Sequence, residues 1–287
     1  MYMVIVLGNS FLIFTLILSP QLHTPMYYFL CNLSFIDLCF TSCNLPKTLV
    51  DIICNTRTIS VMGCLTQMNL GLLLGVAECI LLAVMAYDRY IAICFPLHYT
   101  TIMSRRVCGY ITVIMWSGCF YFSFSPTIIK PLVFCQGNKL DHVACEILVV
   151  LELACGDLSV TKLLLFVHSF IVLLSPVIFI VVTYICIIAS ILKIHSGQGR
   201  SKAFSTCASH LTVVIMFYGT SLTMYMGQSK FSSNRKYISL GYKIVTPALN
   251  PLIYSLRSNE VKGTFKKILT RYSVMRPIQG DKYGTKK

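Results

Sequence analysis

Seven long apolar segments, separated by charged or turn-rich breaks, constrain this chain more than any other feature of its sequence. A helix that crosses a bilayer needs about 20 mostly apolar residues, and these segments approach or exceed that length. None shows the alternation of polar and apolar residues that is typical of a membrane β-barrel. The segments are Met1–Leu18, Pro25–Val50, Val61–Ile93, Val107–Ile129, Leu163–Leu192, Ala203–Met226 and Ile238–Leu256. We therefore predict an all-α membrane protein, a seven-transmembrane helix bundle.

The composition agrees with a chain whose solvent is mostly lipid. Hydrophobic residues make up 56% of the 287 positions and charged residues 12%, about half the charged share of an ordinary soluble domain. So apolar a chain is not disordered, and ten acids and 24 bases are too few to cover a soluble surface of this size. In a membrane protein the net charge of +14 indicates basic cytoplasmic edges and contacts with lipid head groups rather than nucleic acid.

An odd number of spans places the two termini on opposite sides of the membrane. With the C-terminus inside, fifteen lysines and arginines fall on the inner side, nine of them between Arg257 and Lys287, and nine fall outside. Basic residues accumulate on the cytoplasmic side, so we predict an extracellular N-terminus and a cytoplasmic C-terminus. Residues 1–270 are expected to form one domain that ends in a short amphipathic helix at about 257–270, and 271–287 a basic cytoplasmic tail.

Four of the fourteen cysteines lie on the predicted outer side in an informative arrangement. Cys64 begins the third segment, while Cys135, Cys145 and Cys155 divide the loop after the fourth segment into ten-residue steps. An oxidising compartment permits disulfides, but four cysteines allow three pairings and the spacing does not choose among them. A zinc site is the alternative, although no CxxC or HxxxH pattern supports it.

Two acids and two amides fall inside the predicted spans. Asp37 and Glu78 lie in the middle of the second and third segments, and Asn9 and Asn250 lie in the first and seventh. Ionisable side chains are costly in a membrane and usually mark functional sites. These four are candidates for a polar centre that holds a sodium ion or shares protons. A hydrogen-bonded network that fixes helix packing is a second and compatible interpretation.

Lys243 is also unusual, because it lies in the outer half of the seventh segment. It could face a ligand cavity and there bind an acid or polarise a carbonyl group. The interpretation favoured by sequence is that it extends to the membrane surface or pairs with an outer acid.

The triplet Asp88-Arg89-Tyr90 ends the third segment at the predicted inner face. An Asp–Arg pair at this position can be held together or separated, and a released arginine could meet a partner inserted from the cytoplasm. A solvated ion pair at the membrane surface is the alternative. The combination of this triplet with seven apolar segments favours the switch.

Pro251 interrupts the helical hydrogen bonds of the seventh segment. Proline is tolerated in spans whose neighbours satisfy the freed carbonyl groups. The resulting kink gives Asn250 and Tyr254 a place to change partners.

Several motifs occur in a fixed order along nearly the whole chain. They are Gly8-Asn9, Leu22–Tyr27 (LHTPMY), Met85–Cys94 (MAYDRYIAIC), Pro96–Tyr99 (PLHY), Lys202–Leu211 (KAFSTCASHL) and Pro247–Tyr254 (PALNPLIY). By these motifs the chain resembles the vertebrate olfactory (odorant) receptors, which belong to the rhodopsin-like class of G-protein-coupled receptors. The resemblance implies disulfides Cys64–Cys145 and Cys135–Cys155.

The resemblance also assigns roles to individual residues. It implies that Arg89, with Asp88 and Tyr90, is the switch that faces the G protein, and that Tyr184 and Tyr254 are its intracellular partners beside Asn250 and Pro251. It implies that Asp37 and Glu78 are the acids of a sodium site, and sodium is the one cofactor expected. An odorant pocket is implied at Gly71, Leu72, Gly75, Val76, His168, Val172, Tyr218, Ser221, Leu222, Tyr225 and Lys243, with Tyr218 as the pivot beneath the ligand.

Two departures from the family pattern stand out. An uncharged residue is more usual in the family where this chain has Lys243. Family members also carry a longer segment before the first helix, with a glycosylation sequon, whereas Gly8 follows only seven residues here and the one Asn-x-Ser/Thr, at Asn32, lies within a span. We expect either a different start site or impaired delivery to the cell surface.

The expected function is therefore that of an odorant receptor without enzymatic activity. A small volatile hydrophobic molecule would bind within the bundle and activate a stimulatory olfactory-type G protein, which raises cyclic AMP. The expected location is the plasma membrane of olfactory sensory cilia, with receptor-trafficking accessory proteins as further partners. A truncated receptor that does not signal and an ion-coupled transporter are the alternatives, the latter disfavoured because the chain has no internal repeat.

Overall fold

Seven long helices make up most of the computed structural model, which describes residues 1–55, 58–135, 137, 139–140, 142–226, 235–257 and 263. We label them α1 (Tyr2–Leu18), α2 (Pro25–Cys54), α3 (Val61–Cys94), α4 (Arg105–Ile129), α5 (Ser159–Leu192), α6 (Gly197–Met226) and α7 (Arg235–Arg257). The side chains of Tyr225 and Tyr254 lie outside the described part of the chain. So do the predicted amphipathic helix at 257–270, except Arg257 and Gly263, and the predicted tail at 271–287.

The predicted all-α membrane fold is confirmed, with each helix in the place of one predicted apolar segment. Helices α2 to α6 are long and apolar enough to cross a bilayer, and α1 is an apolar helix of 17 residues. Local sequence explains several of the ends. Ser60 and Ser104 cap α3 and α4 by accepting hydrogen bonds from the backbone of Gly63 and Val107.

Helix α3 is the centre of the bundle, since it packs against α2, α4, α5 and α6. Its central residues Ala77, Leu81, Leu82 and Ala86 are fully buried. The small alanines let the neighbouring helices approach closely, as in other membrane bundles. Helix α1 packs against α2 and α7.

The segment between α4 and α5 folds onto one end of the bundle. Two short antiparallel strands, β1 (Val133–Phe134) and β2 (Ala154–Cys155), pair with Val133 opposite Cys155. A helical turn at Ile147–Val150 packs its apolar side chains against Met68 of α3 and Leu165 of α5. We call this segment, residues 130–158, the outer segment.

Candidate ligand cavity and polar networks

A cavity of about 120 Å³ lies between the helices beneath the outer segment. This is about ten times the room that one water molecule needs, which suits a small organic ligand. Its lining is mostly apolar. Eight of the residues predicted for the pocket line this cavity, namely Gly71, Leu72, Gly75, Val76, His168, Val172, Ser221 and Lys243.

Tyr218 and Leu222, expected in the pocket, do not line this cavity. Successive helical residues point about 100° apart, and on α6 Phe217 and Ser221, one turn apart, take the inward positions. Tyr218 instead donates a hydrogen bond of 2.7 Å from its hydroxyl to the backbone carbonyl of Cys79 on α3. It therefore lies beside the cavity wall, where Cys79 contributes to the lining.

The sequence prediction missed the part of the lining that the outer segment supplies. Cys145, Glu146, Ile147 and Leu148 cover the cavity. Hydrophobic periodicity predicts helices but does not set the path of a loop. The disulfide Cys64–Cys145 that the resemblance implies was the available signal, since it must bring the neighbours of Cys145 to the bundle.

Lys243 and Glu146 form an ion pair at the edge of this cavity. The Lys243 ammonium lies 2.7 Å from Oε1 of Glu146, and Lys243 is only 4% exposed. Ser239, one helical turn before Lys243, donates a hydrogen bond to the same carboxylate oxygen, and the His142 ring lies 3.9 Å from the other. Burial raises the pKa of Glu146, but Lys243, Ser239 and His142 outweigh it, so the pKa is below its ordinary value.

The outer segment is fastened to α3 and α7 around Glu146. The disulfide Cys64–Cys145 joins it to α3. Gln67 of α3 accepts a hydrogen bond of 3.0 Å from the Cys145 backbone and donates one of 3.1 Å to the Cys43 carbonyl of α2. With the Lys243 pair on α7, these contacts hold the segment as a cover over the cavity.

The second disulfide, Cys135–Cys155, lies within the outer segment itself. It joins the chain immediately after β1 to the end of β2. The two bonds are the pairs that the resemblance implies, and ten free cysteines remain in the described part of the chain.

His168 supports the opposite wall of the cavity through a proline in α4. Pro126 lacks an N–H, so the carbonyl of Phe122 has no donor in its own helix. The Nδ1 atom of His168 lies 3.2 Å from that carbonyl oxygen. A carbonyl only accepts hydrogen bonds, so Nδ1 carries the proton and, in a neutral ring, Nε2 is an acceptor.

The polar centre expected between the helices is partly connected. Asn250 donates a hydrogen bond of 2.9 Å to Oδ2 of Asp37, and Asn9 donates one of 3.0 Å to the carbonyl of Pro247. One oxygen each of Asp37, Glu78, Asn250 and Asn9 is buried without a hydrogen-bond partner among the described residues. Such oxygens are the ligands that hard cations prefer, so the residues fit a sodium ion.

At the other end of α3, Asp88 holds Arg89 in place. The arginine lies 3.1 Å from Oδ2 of the fully buried aspartate, and Tyr99, in the turn after α3, donates a hydrogen bond of 2.8 Å to Oδ1. The ring of Tyr90 packs edge-on against Phe95. Burial and the nearby Asp88 charge raise the pKa of Tyr99 above its usual range, so its hydroxyl stays a donor.

Tyr184, which the resemblance implies as a partner of Arg89, joins a network around His210. The Tyr184 hydroxyl lies 2.8 Å from Nδ1 of His210, and Nε2 of His210 lies 3.1 Å from the Leu82 carbonyl of α3. His210 is buried and links α3, α5 and α6. In the sequence His210 stands within the motif KAFSTCASHL, and a histidine inside a predicted span is a signal of a functional polar residue.

The chain is similar in sequence to one family of known proteins. The model of the family described as olfactory receptor matches residues 1–272. The chain is 50% identical to human olfactory receptor 13C9 over 280 residues, which cover 94% of this chain and 88% of that protein. It is 47% identical to human olfactory receptor 2K2 over 277 residues, 96% and 87% of the two chains. Mouse olfactory receptor 1M1 is 43% identical over 274 residues, 94% and 88%.

Proposed function

The chain belongs to the olfactory receptor family, and on that premise we propose that it detects a small volatile odorant and signals through a stimulatory olfactory-type G protein. Members of the family are multi-pass membrane receptors rather than enzymes. The observation that carries the proposal is the covered cavity, which borders α3, α5, α6 and α7 and presents a mostly apolar wall. A site of this kind suits a small hydrophobic ligand.

An odorant acts only if it binds the active arrangement of the helices more tightly than the inactive one. The contact between Tyr218 and Cys79 offers a mechanical link, since Cys79 lines the cavity and Tyr218 belongs to α6. From there α6 reaches the inner network through His210, which bonds to the carbonyl of Leu82 on α3. A shift of α6 caused by the odorant would therefore disturb contacts close to Arg89.

Arg89 is the residue that meets the G protein in this proposal. Its pairing with Asp88, supported by Tyr99, describes a state in which the arginine is held. Opening of the inner face would release the guanidinium for the α-subunit of the G protein, and activation of adenylate cyclase would follow. The release of Arg89 would be accompanied by rearrangement of Tyr90, Asn250, Pro251 and the Tyr184 network.

A sodium ion is proposed as an allosteric ligand of the polar centre. Asp37, Glu78, Asn9 and Asn250 would hold it through their unpartnered oxygens. The ion would supply one positive charge, which offsets part of the negative charge of the two buried acids. These acids are close enough to interact electrostatically, so they bind a cation together more readily than either would alone.

We propose that the N-terminus and the outer segment face the extracellular side and the C-terminus faces the cytoplasm. The two disulfides support this, because such bonds form on the oxidising side of a membrane. The basic C-terminal sequence would then face anionic lipids and the G protein. The expected site of action is the plasma membrane of olfactory sensory cilia, reached with the help of trafficking proteins.

The test is a cyclic-AMP assay in cells that contain the olfactory G protein and are exposed to a chemically diverse odorant panel. A responding odorant should lose its effect in Arg89→Ala at unchanged surface level. Arg106→Ala, which removes an exposed arginine from the start of α4, is the matched control and should respond normally. An undiminished response of Arg89→Ala would refute the switch.

A further inference from the structure

We propose that the preferred odorants of this receptor carry a neutral carbonyl group, as in ketones, aldehydes and esters, which accepts a hydrogen bond from Lys243. The inference rests on the proposed function, because it concerns the ligand of the same cavity. Lys243 and Glu146 are the charged residues that line that cavity in the described part of the chain. They distinguish its wall from a purely apolar one.

The donors of Lys243 are not exhausted by its ion pair. An ammonium group has three N–H donors, and among the described residues it contacts one acceptor oxygen, Oε1 of Glu146. The side chain is only 6% exposed, so bulk solvent does not meet the rest. Water in the cavity can satisfy these donors, and an odorant that displaces the water binds well only if it offers an acceptor in return.

The charge balance of the cavity selects a neutral acceptor. Glu146 already neutralises Lys243, so a carboxylate ligand would place a second anion beside the first in a poorly hydrated space. An amine ligand would bring a cation next to Lys243. A hydrocarbon would leave the lysine donors without partners, which is costly in a buried site. A carbonyl oxygen accepts a hydrogen bond and adds no charge.

The position of the donor is fixed before the ligand arrives. Glu146 follows Cys145, which is bonded to Cys64 of α3, and the carboxylate is also held by Ser239 of α7. The pair therefore does not need to be ordered by the odorant. Preorganised polar groups of this kind give specificity without a large loss of conformational entropy on binding.

His168 provides the rival explanation for binding of a polar odorant. Its Nε2 atom is an acceptor in the neutral ring, since Nδ1 donates to the Phe122 carbonyl. An alcohol could donate to this nitrogen, whereas a ketone could not. Alcohols and ketones thus separate the two residues, since loss of the Lys243 ammonium should weaken ketones and spare an alcohol that depends on His168.

The experiment measures binding to the purified full-length receptor in lipid nanodiscs, without G protein. The probes are two series, one linear and one cyclic, in which a single carbon skeleton carries no oxygen, a ketone, a secondary alcohol, a carboxylate or a primary amine. Ketones are used instead of aldehydes because aldehydes react with lysine. In the unmodified receptor we expect the ketone to bind at least about tenfold more tightly than the alkane, acid and amine of its series.

Lys243→Met combined with Glu146→Gln removes both charges together and leaves no unpaired carboxylate. In this double variant the ratio of ketone to alkane affinity should fall toward one. Lys130→Met, which alters a half-exposed lysine paired with Asp157 outside the cavity, should keep the original ratio. Thermal unfolding shows whether the variants that are compared are folded. The order of ligand affinities in the unmodified receptor tests the proposal without any variant.

Equal binding of ketone and alkane, tighter binding of the acid, or failure of every ketone to bind would overturn the inference. So would an unchanged ratio in the double variant. Failure of the proposed function looks different, because ketones would then bind selectively and depend on Lys243 while no ligand raised cyclic AMP. Conversely, a receptor that signals to alkanes as well as to ketones would retain the function and refute the carbonyl preference.

Discussion

Asn9 donates a hydrogen bond of 3.0 Å to the carbonyl of Pro247, which is the carbonyl that Pro251 deprives of its helical donor. An α-helical N–H bonds to the carbonyl four residues earlier, and proline has no N–H. A side chain from α1 thus completes the backbone of α7. His168 of α5 does the same for the Phe122 carbonyl that Pro126 leaves free in α4.

The first prediction follows from this repair. Asn9→Leu should lower the free energy of unfolding by roughly 1–3 kcal/mol, because it leaves a buried carbonyl without a donor. In a Pro251→Ala background the alanine N–H can bond to Pro247, so the same substitution should cost clearly less. Thermal unfolding of the four purified proteins measures the difference. An equal loss of unfolding free energy in both backgrounds would contradict the role of Asn9. The control is Asn32→Leu, because the Asn32 amide donates to the Tyr28 carbonyl of its own helix.

Gln67 should govern how firmly the outer segment covers the cavity. It accepts from the Cys145 backbone and donates to the Cys43 carbonyl, so Gln67→Leu removes both bonds while Gln67→Glu keeps an acceptor. We expect hydrogen exchange around residues 143–147 to be fastest in the leucine variant and intermediate in the glutamate variant. Asn69→Leu on the same helix should leave that exchange unchanged, and a similar rate in all variants would refute the fastening role.

The two disulfides should differ in what their loss does. The Cys64–Cys145 bond joins residues 81 apart in sequence, and Cys135–Cys155 joins residues 20 apart. Paired serine substitutions at the first bond should therefore cost more stability, on the order of 4 kcal/mol against about 3. They should also weaken odorant binding, because Cys145 and Glu146 line the cavity. Unfolding midpoints and ligand affinity test this, and equal losses of affinity for both pairs would argue against it.

The ion pair of Glu146 with Lys243 should make the stability of the protein depend on pH. Its pKa in the folded protein lies below the ordinary value of 4.5, so its ion pair contributes stability above that value and loses it as the pH falls through the lower, folded pKa. Glu146→Gln should lower the free energy of unfolding at neutral pH by about 1 kcal/mol or more, because the pair is largely buried. The difference from the unmodified protein should shrink below pH 4.5. A gap of constant size over the whole range would refute the assignment.

His210 should transmit the signal without contributing to ligand affinity. It does not line the cavity, yet it links Tyr184 and the Leu82 carbonyl across three helices. His210→Ala should reduce the maximal cyclic-AMP response about tenfold or more while odorant affinity changes little. Tyr184→Phe, which removes one of the two bonds, should have a smaller effect. A parallel loss of affinity in His210→Ala would indicate a structural role instead.

The sequence predicts the helices well because the length of an apolar segment is a local property. It also brought residues such as Gly71 and Val172 into one pocket through the family resemblance. It did not predict that Tyr218 and Leu222 fall outside the cavity, because the rotation of α6 is set by packing against α3. The partner of Lys243 was likewise left open between lipid surface and outer acid, since Glu146 lies 97 residues away in a loop that is positioned by a disulfide.

For the same reason, the sequence did not predict the hydrogen bonds that Asn9 and His168 donate to the carbonyls left without a helical donor by Pro251 and Pro126. Pro126 and Pro251 are visible in the sequence as helix interruptions, but nothing local identifies His168 or Asn9 as the groups that complete them. Those pairings depend on how neighbouring helices are turned toward each other. Residues that act across helices are therefore recognised only once the helices have been assembled in three dimensions.

The bond between Cys64 and Cys145 also bears on how the structure is assembled. Because Glu146 directly follows Cys145, oxidation of the two thiols helps to fix the anion that balances Lys243 in its place. Without that bond, the outer segment would keep only its noncovalent contacts with the bundle, such as those of Gln67 and Lys243. Closure of the cavity is thus coupled to disulfide formation, a step that belongs to the oxidising compartment in which such bonds form.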